Sequence, residues 1–307
     1  MNPAYSVIFF TTASGAGYGL LALLGLTGAR MGHAPSLLFA ILTLIIALGL
    51  ITAGLLSSTL HLGRPERAWR ALSQWRTSWL SREGVAAIVT YPFALAFGLV
   101  WSGLVAIPDA VAPLGILTAI LALTTVFTTG KIYATLTTIR AWNQPLTVPI
   151  YLFFALASGG ALHWAISTIL GMEPGTVPPV AGFALLMLAM LKLRYWGLID
   201  NAPRDRTMAN ATGLGEHVRQ WEVPHTSTNF VQREMGFVVA RRHAQRLRKI
   251  FFLLLLLAGG LEGAATSVPA FAVPAALILL IAAWLERWLF FAEGEHVVTL
   301  FYGNPNA

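Results

Sequence analysis

The sequence predicts an all-α, polytopic membrane protein: a bundle of about eight transmembrane helices in a single membrane domain over 1–307, with both termini on the cytoplasmic side. Three observations predict it. Of 307 residues, 56% are hydrophobic and only 11% charged, where a soluble domain carries roughly 25% charged residues, so the polar surface is too small to cover the chain in water. Apolar runs of spanning length recur from end to end. The cations gather in alternate connections, the pattern left by helices that alternate in direction.

A span takes about 20 apolar residues, because the hydrocarbon core is roughly 30 Å thick and a helix rises about 1.5 Å per residue. Runs of that kind lie at about 7–28, 36–60, 83–107, 112–133, 146–170, 178–199, 250–268 and 272–292. The first follows MNPAYS, which lacks the basic opening of a secretory signal and precedes a run longer than a signal's core, so it is expected to stay on the mature protein. Gly15, Gly17 and Gly19, with Ser14, point to close approach of a neighbouring helix. Pro92 and Gly98 in the third run, and Gly159 and Gly160 in the fifth, are tolerated inside a bundle where neighbours satisfy freed backbone groups. In the last pair Pro269 and Pro274 leave only a tight turn and Glu262 interrupts the apolar run, so a re-entrant pair is the alternative to two full spans.

With alternating helices, the segments at 61–82, 134–145 and 200–249 share a side with both termini, and Arg64, Arg67, Arg70, Arg76, Arg82, Arg140, Arg241, Arg242, Arg246, Arg248 and Lys249 are among the cations there. Lys131, Lys192, Arg194 and Arg287 are expected near helix ends facing that side, while the other side has only Arg30. Short basic loops are retained in the cytoplasm, which places this side inside, at the cell inner membrane. The pI of 10.1 is therefore a topology signal, and nucleic-acid binding is excluded because the basic residues flank helices instead of forming a separate domain. The polar segment 200–249 ends in the basic stretch REMGFVVARRHAQRLRK, expected to extend the seventh helix outward. Its length marks it as a docking surface, the plainer alternative being a linker held by anionic lipid.

The chain has no cysteine, so it holds no disulfide, iron-sulfur cluster or thiolate metal site. A haem needs two axial ligands at one depth; His163 lies toward the far end of the fifth run and His61 at the near face, while His33, His217, His225, His243 and His296 fall in loops or the tail. No metal ligands and no catalytic residues are assigned, and redox chemistry would use borrowed cofactors. Glu262, an acid within a span, is costly in lipid and stands as a proton-path candidate without a nameable partner.

The most informative stretch is SSTLHLGRPERAWRALSQWRTSWLSREGV, residues 57–85. His61 closes the second run and Glu83 opens the third, so both titratable groups lie at one membrane face. Between them Ala68, Leu72, Trp75 and Trp79 recur at helical spacing, the apolar stripe of a short interfacial helix with its tryptophans at headgroup level. The arrangement suits a quinone, an apolar ring and tail with two carbonyl oxygens. His61 can donate a hydrogen bond and change charge near neutral pH, and a partly desolvated Glu83 can carry protons. The same residues can equally serve as dipole partners, His61 capping the second helix and Glu83 favouring the start of the third.

The string HLGRPERAWRALSQWRTSWLSREG, together with SVIFFTTASGAGYGL and RWLFFAEGEHVVTLFYG, resembles the membrane anchor subunit family of dimethyl sulfoxide reductase (DmsC-like), which includes the anchor of the cytoplasmic quinone-linked sulfite dehydrogenase. The likeness runs along the whole chain. It implies a non-catalytic subunit of an oxidoreductase complex, partnered by a molybdopterin catalytic subunit and a four-cluster iron-sulfur subunit, exchanging electrons with quinone or quinol. The family's quinone-site histidine and glutamate fall on His61 and Glu83; Arg64, Arg67, Arg82 and Trp79 are further quinone-site candidates, with contacts to lipid headgroups as the alternative for the arginines. Orientation and family together favour sulfite oxidation, with a sulfoxide reductase anchor oxidising quinol as the second reading. A polytopic transporter is the alternative of another class, but paired broken helices in repeated halves are not found in the sequence.

Overall fold

The computed structural model describes residues 3–60, 62–203, 206–215, 218, 221–222, 226–227, 229, 232, 239–302 and 304. Among them eight long α-helices form the bundle: α1 (Tyr5–Met31), α2 (Leu37–Thr59), α3 (Trp79–Trp101), α4 (Val111–Ala134), α5 (Thr147–Ile169), α6 (Val177–Asp200), α7 (Val239–Ala265) and α8 (Ala272–Ala292). All but α7 are long and apolar enough to cross a membrane. The exception is compositional, since Arg248, Lys249 and Glu262 sit on α7, yet α7 is one continuous helix that packs on α8 and α6. The last two elements thus form a hairpin of full-length helices and not a re-entrant pair, and the basic stretch before Ile250 is helical from Val239, as expected.

The most deeply buried helix is α1, with 83% of its apolar window inside the protein against 33% for α2 and α3. Small residues put it there. A Cβ on Gly19 would overlap the Ala155 carbonyl of α5, one on Gly159 would strike Gly19 and Leu20, and one on Gly25 would overlap the Gly115 carbonyl of α4. At Gly17 the Ala47 carbonyl of α2 would lie 2.7 Å away. Close backbone approach maximises dispersion contacts where lipid removes the hydrophobic drive for helices to associate. Gly17 and Gly19 therefore act as the sequence suggested. Gly15 does not, because its Cβ would meet nothing within 4 Å.

Capping moves one boundary with consequence. Ser78 is extended and accepts a hydrogen bond from Ser81 N at 3.4 Å, so α3 starts at Trp79 and not at Glu83, and it ends at Trp101 before Gly103 turns left-handed at φ 80°. Glu83 is thereby carried a turn into the bundle. Connections on the face where α1 starts and α8 ends are tied together: Ser57 donates to the Ser6 carbonyl at 2.8 Å, Val297 N donates to the Thr138 carbonyl at 3.1 Å, and Arg248 bonds Asp200 and Glu293. This face carries most of the arginines and is termed the basic face. On the opposite face Ala34 N donates to the Trp101 carbonyl at 3.1 Å. Of segment 200–249 the described part includes a short helix, Met208–Thr212, anchored by buried Met208.

Candidate functional site

Glu83 is 4% exposed. Its carboxylate turns from α3 toward α4, where the Thr129 hydroxyl donates to Oε1. Thr125, one turn before Thr129, faces Thr90 of α3 at 3.3 Å, and Tyr18 and Tyr133 lie within electrostatic reach of the carboxylate. His61, the other half of the expected pair, lies outside the described residues.

The remaining candidates from this stretch separate. Residues Pro65–Gln74 form a 3-10 helix, and the expected α-helical stripe is not made: at three residues per turn the faces differ, and Trp79 belongs to α3. Leu72 instead reaches over Gly84, while Trp69 and Trp75 stay exposed beneath the Arg70 and Arg76 guanidiniums at 5.6 and 5.5 Å. Arg82 stacks on Trp79 at 4.2 Å and donates to the Trp75 and Arg76 carbonyls at 3.0 and 2.7 Å. It therefore pins the 3-10 helix to α3 through a planar fork that lysine could not reproduce. Arg64 is exposed, as is Arg67, whose described ion-pair partner is Glu66 at 3.9 Å. Glu262 is 5% exposed with neither oxygen hydrogen-bonded among the described residues, and it lines an apolar groove of ≈710 Å³ between α6 and α7, near the face opposite Glu83.

A second groove, ≈410 Å³, opens between α2 and α3 in the half of the bundle away from the basic face, about three helical turns from Glu83 along α3; Ile41, Leu44, Leu48, Ala94 and Leu95 line it with Thr52. Thr52 meets the Tyr91 hydroxyl at 2.6 Å across the gap.

Sequence reasoning missed the most strongly polar feature of the interior. Lys192 of α6 bonds Glu286 of α8 at 2.7 Å, and Arg287 bonds the other Glu286 oxygen at 2.5 Å, all three residues at most 3% exposed. Lys192 and Arg287, expected near helix ends facing the basic side, are in fact inside the bundle: each finds an anion there, whereas solvent at a helix end would leave Glu286 buried alone. Toward the basic face, Trp196 lies under both Lys192 and Arg248, at 4.1 and 5.1 Å, and donates to Glu293 at 3.0 Å; Arg248 joins Glu293 to Asp200. In the other direction Arg287 reaches a cavity of ≈20 Å³ whose wall includes Tyr18, Thr129, Tyr151, Ser158 and Gly15. Tyr18 Oη and Arg287 Nη1 have no hydrogen-bond partner among the described residues. The signal was in the sequence: an adjacent acid and base, Glu286–Arg287, inside an apolar helix.

His163, 2% exposed, packs edge-on against Phe39 at 5.5 Å. No three His, Asp or Glu side chains converge as a metal site among the described residues.

A family model described as DMSO reductase anchor subunit (DmsC) matches residues 1–303. The chain is 34% identical over 328 residues to a protein of Allochromatium vinosum named as a sulfite dehydrogenase subunit, an alignment covering 98% of this chain and 99% of that relative. A bundle of this architecture, matched along nearly its whole length, belongs to the DMSO reductase anchor subunit (DmsC) family.

Proposed function

We propose that this chain is the membrane anchor and quinone-reactive subunit of a molybdopterin oxidoreductase, passing electrons between the quinone pool and a four-cluster iron-sulfur subunit, with sulfite oxidised on the catalytic subunit. The observation that carries the quinone reading is Glu83: a carboxyl buried near the basic face, held by one described hydroxyl donor from Thr129. Such a carboxyl can deliver a proton to a quinone oxygen, and the apolar α2–α3 groove, farther along α3 toward the opposite face, can take the distal part of an isoprenoid tail. In sulfite oxidation the balance is sulfite plus water plus quinone giving sulfate plus quinol: two electrons leave sulfur, two protons are released from water, and the quinone takes up two electrons and two protons. The anchor's part is to admit quinone, orient it and supply protons.

The family membership supports the anchor role, and the likeness to a protein named as a sulfite dehydrogenase subunit favours sulfite over sulfoxide. The arginine-rich face supports a cytoplasmic docking side, formed by the 3-10 helix and segment 200–249, and an inner-membrane location. A fluorescent reporter fused after Ala307 is expected to fluoresce and an alkaline phosphatase fusion to be inactive; the reverse would favour the sulfoxide reductase reading.

The direct test uses the assembled complex. His61→Ala and Glu83→Gln are each expected to lower quinone-linked turnover at least tenfold while electron transfer to an artificial soluble acceptor is unchanged. Full quinone-linked turnover in both variants rejects the quinone role.

A further inference from the structure

Glu83 is closed off from the surface on its own helix, and its one described hydrogen bond points into the bundle. A carboxyl that gives protons to a substrate must be recharged, and the structure supplies a succession of polar groups on that inner side, with two breaks that water must bridge, at the cavity and between Lys192 and Glu293. Thr129, bonded to Glu83, lines the small cavity; Arg287 lines the same cavity and bonds Glu286; Glu286 bonds Lys192. Lys192 rests on Trp196, whose indole N–H bonds Glu293, and Glu293 is joined through Arg248 to Asp200. Side-chain exposure rises steadily along this chain, from 0% at Glu286 through 7% at Glu293 to 54% at Asp200. One end is in the core beside Glu83 and the other is in water at the basic face.

The cavity at the inner end is of a size that takes a water molecule, which needs two to four polar partners. Tyr18 Oη and Arg287 Nη1, both buried and without a well-formed hydrogen bond among the described residues, can donate to it, and Thr129 and Ser158, whose hydroxyls already donate elsewhere, can accept from it. A buried cluster with two cations and one anion is also costly, and replacing it with apolar residues would often be neutral or stabilising, so packing alone does not call for it.

We propose that this chain of groups is a proton inlet. Protons enter from water at Asp200 and Glu293, pass by Lys192 and Glu286 to water held in the cavity by Arg287 and Tyr18, and reach Glu83 beside Thr129. Arg287 keeps its proton throughout and acts as a positioning residue for the cavity water. The inference rests on the quinone reading of Glu83: two protons taken up through the inlet, with two electrons from the reduced iron-sulfur partner, convert one quinone to quinol.

The test is made on the whole complex in membranes. Glu286→Gln is expected to lower quinone-linked turnover about tenfold and enlarge its solvent deuterium isotope effect, with transfer to a soluble acceptor unchanged and partial recovery on adding a small permeant acid such as formic acid. Gly15→Leu, at a point of the cavity wall where a Cβ meets nothing within 4 Å, is expected to do the same while leaving the Lys192–Glu286 pair in place. Should Glu286→Gln fail to assemble, Gly15→Leu decides alone. Wild-type quinone-linked turnover in a folded variant overturns the inlet, as does a loss that leaves the isotope effect unchanged and is not recovered by acid. Wild-type turnover in Glu83→Gln would overturn the quinone reading itself; an inactive Glu83→Gln beside a fully active Glu286→Gln overturns the inlet alone.

Discussion

Lys192 and Glu286 meet 2.7 Å apart between α6 and α8, their side chains 1% and 0% exposed. Neither can reach solvent, so Lys192 depends on Glu286 for its charge, and Glu286 depends on both Lys192 and Arg287. Removing one member strands the rest: Lys192→Met is expected to lower stability by about 3 kcal/mol, read as a fall in unfolding temperature of the detergent-solubilised protein. The double change Lys192→Met with Glu286→Met should cost less than the sum of the two single changes, because a pair in contact is not additive. Additive losses would show that the two side chains do not act on one another.

Thr129 supplies the only described hydrogen bond to Glu83. Thr129→Val preserves shape and removes that donor. Quinone-linked turnover is expected to fall about tenfold, corresponding to roughly 1.4 kcal/mol, while folding and soluble-acceptor activity remain. An unchanged quinone-linked rate would leave Thr129 a packing residue only.

Glycines in the same bundle should divide sharply. Gly19→Ala places a methyl group into the Ala155 carbonyl and should prevent α1 and α5 from closing, seen as loss of folded protein after extraction. At Gly182 and Gly260 a Cβ meets nothing within 4 Å. There alanine should be neutral or stabilise by up to about 1 kcal/mol through helix propensity. Equal tolerance at Gly19 and Gly260 would contradict the close α1–α5 contact.

Arg82 is held by two carbonyls and the Trp79 ring. Arg82→Lys keeps the charge and loses the fork, so amide exchange over 65–77 should accelerate several-fold. Unchanged protection there would mean that charge, and not the fork, is what Arg82 contributes.

Deleting 204–222 should release the catalytic and iron-sulfur partners from the membrane if segment 200–249 is their docking surface. Partners retained at full stoichiometry would assign docking elsewhere.

The class of the protein was legible because its cause is compositional: eight apolar runs separated by charged or proline-bearing connections leave few alternatives in lipid. The end of α1 at a left-handed Gly32 and the Pro269 turn between α7 and α8 follow from local chemistry. The start of α3 was misread because the apolar run does not begin at the helix's first residue. Ser78 sets that start, as a cap, and the added turn of helix is what buries Glu83. The 3-10 geometry of Pro65–Gln74 was likewise invisible to an apolar periodicity that assumes 3.6 residues per turn.

What the sequence by itself determined was which residues must be in the membrane, which face is basic, and that Glu83 lies at that face beside an apolar run. These depend on hydropathy and charge summed over single segments. Only the tertiary structure decided that Glu83 faces Thr129 and not the surface, that Arg82 is a clamp, and that Lys192, Glu286 and Arg287 form one ion cluster. Those facts depend on the rotation of each helix about its axis and on which helix lies beside it. In lipid that rotation is set by close contacts such as Gly19 on Ala155, pairings between residues far apart in the chain that no single apolar run contains.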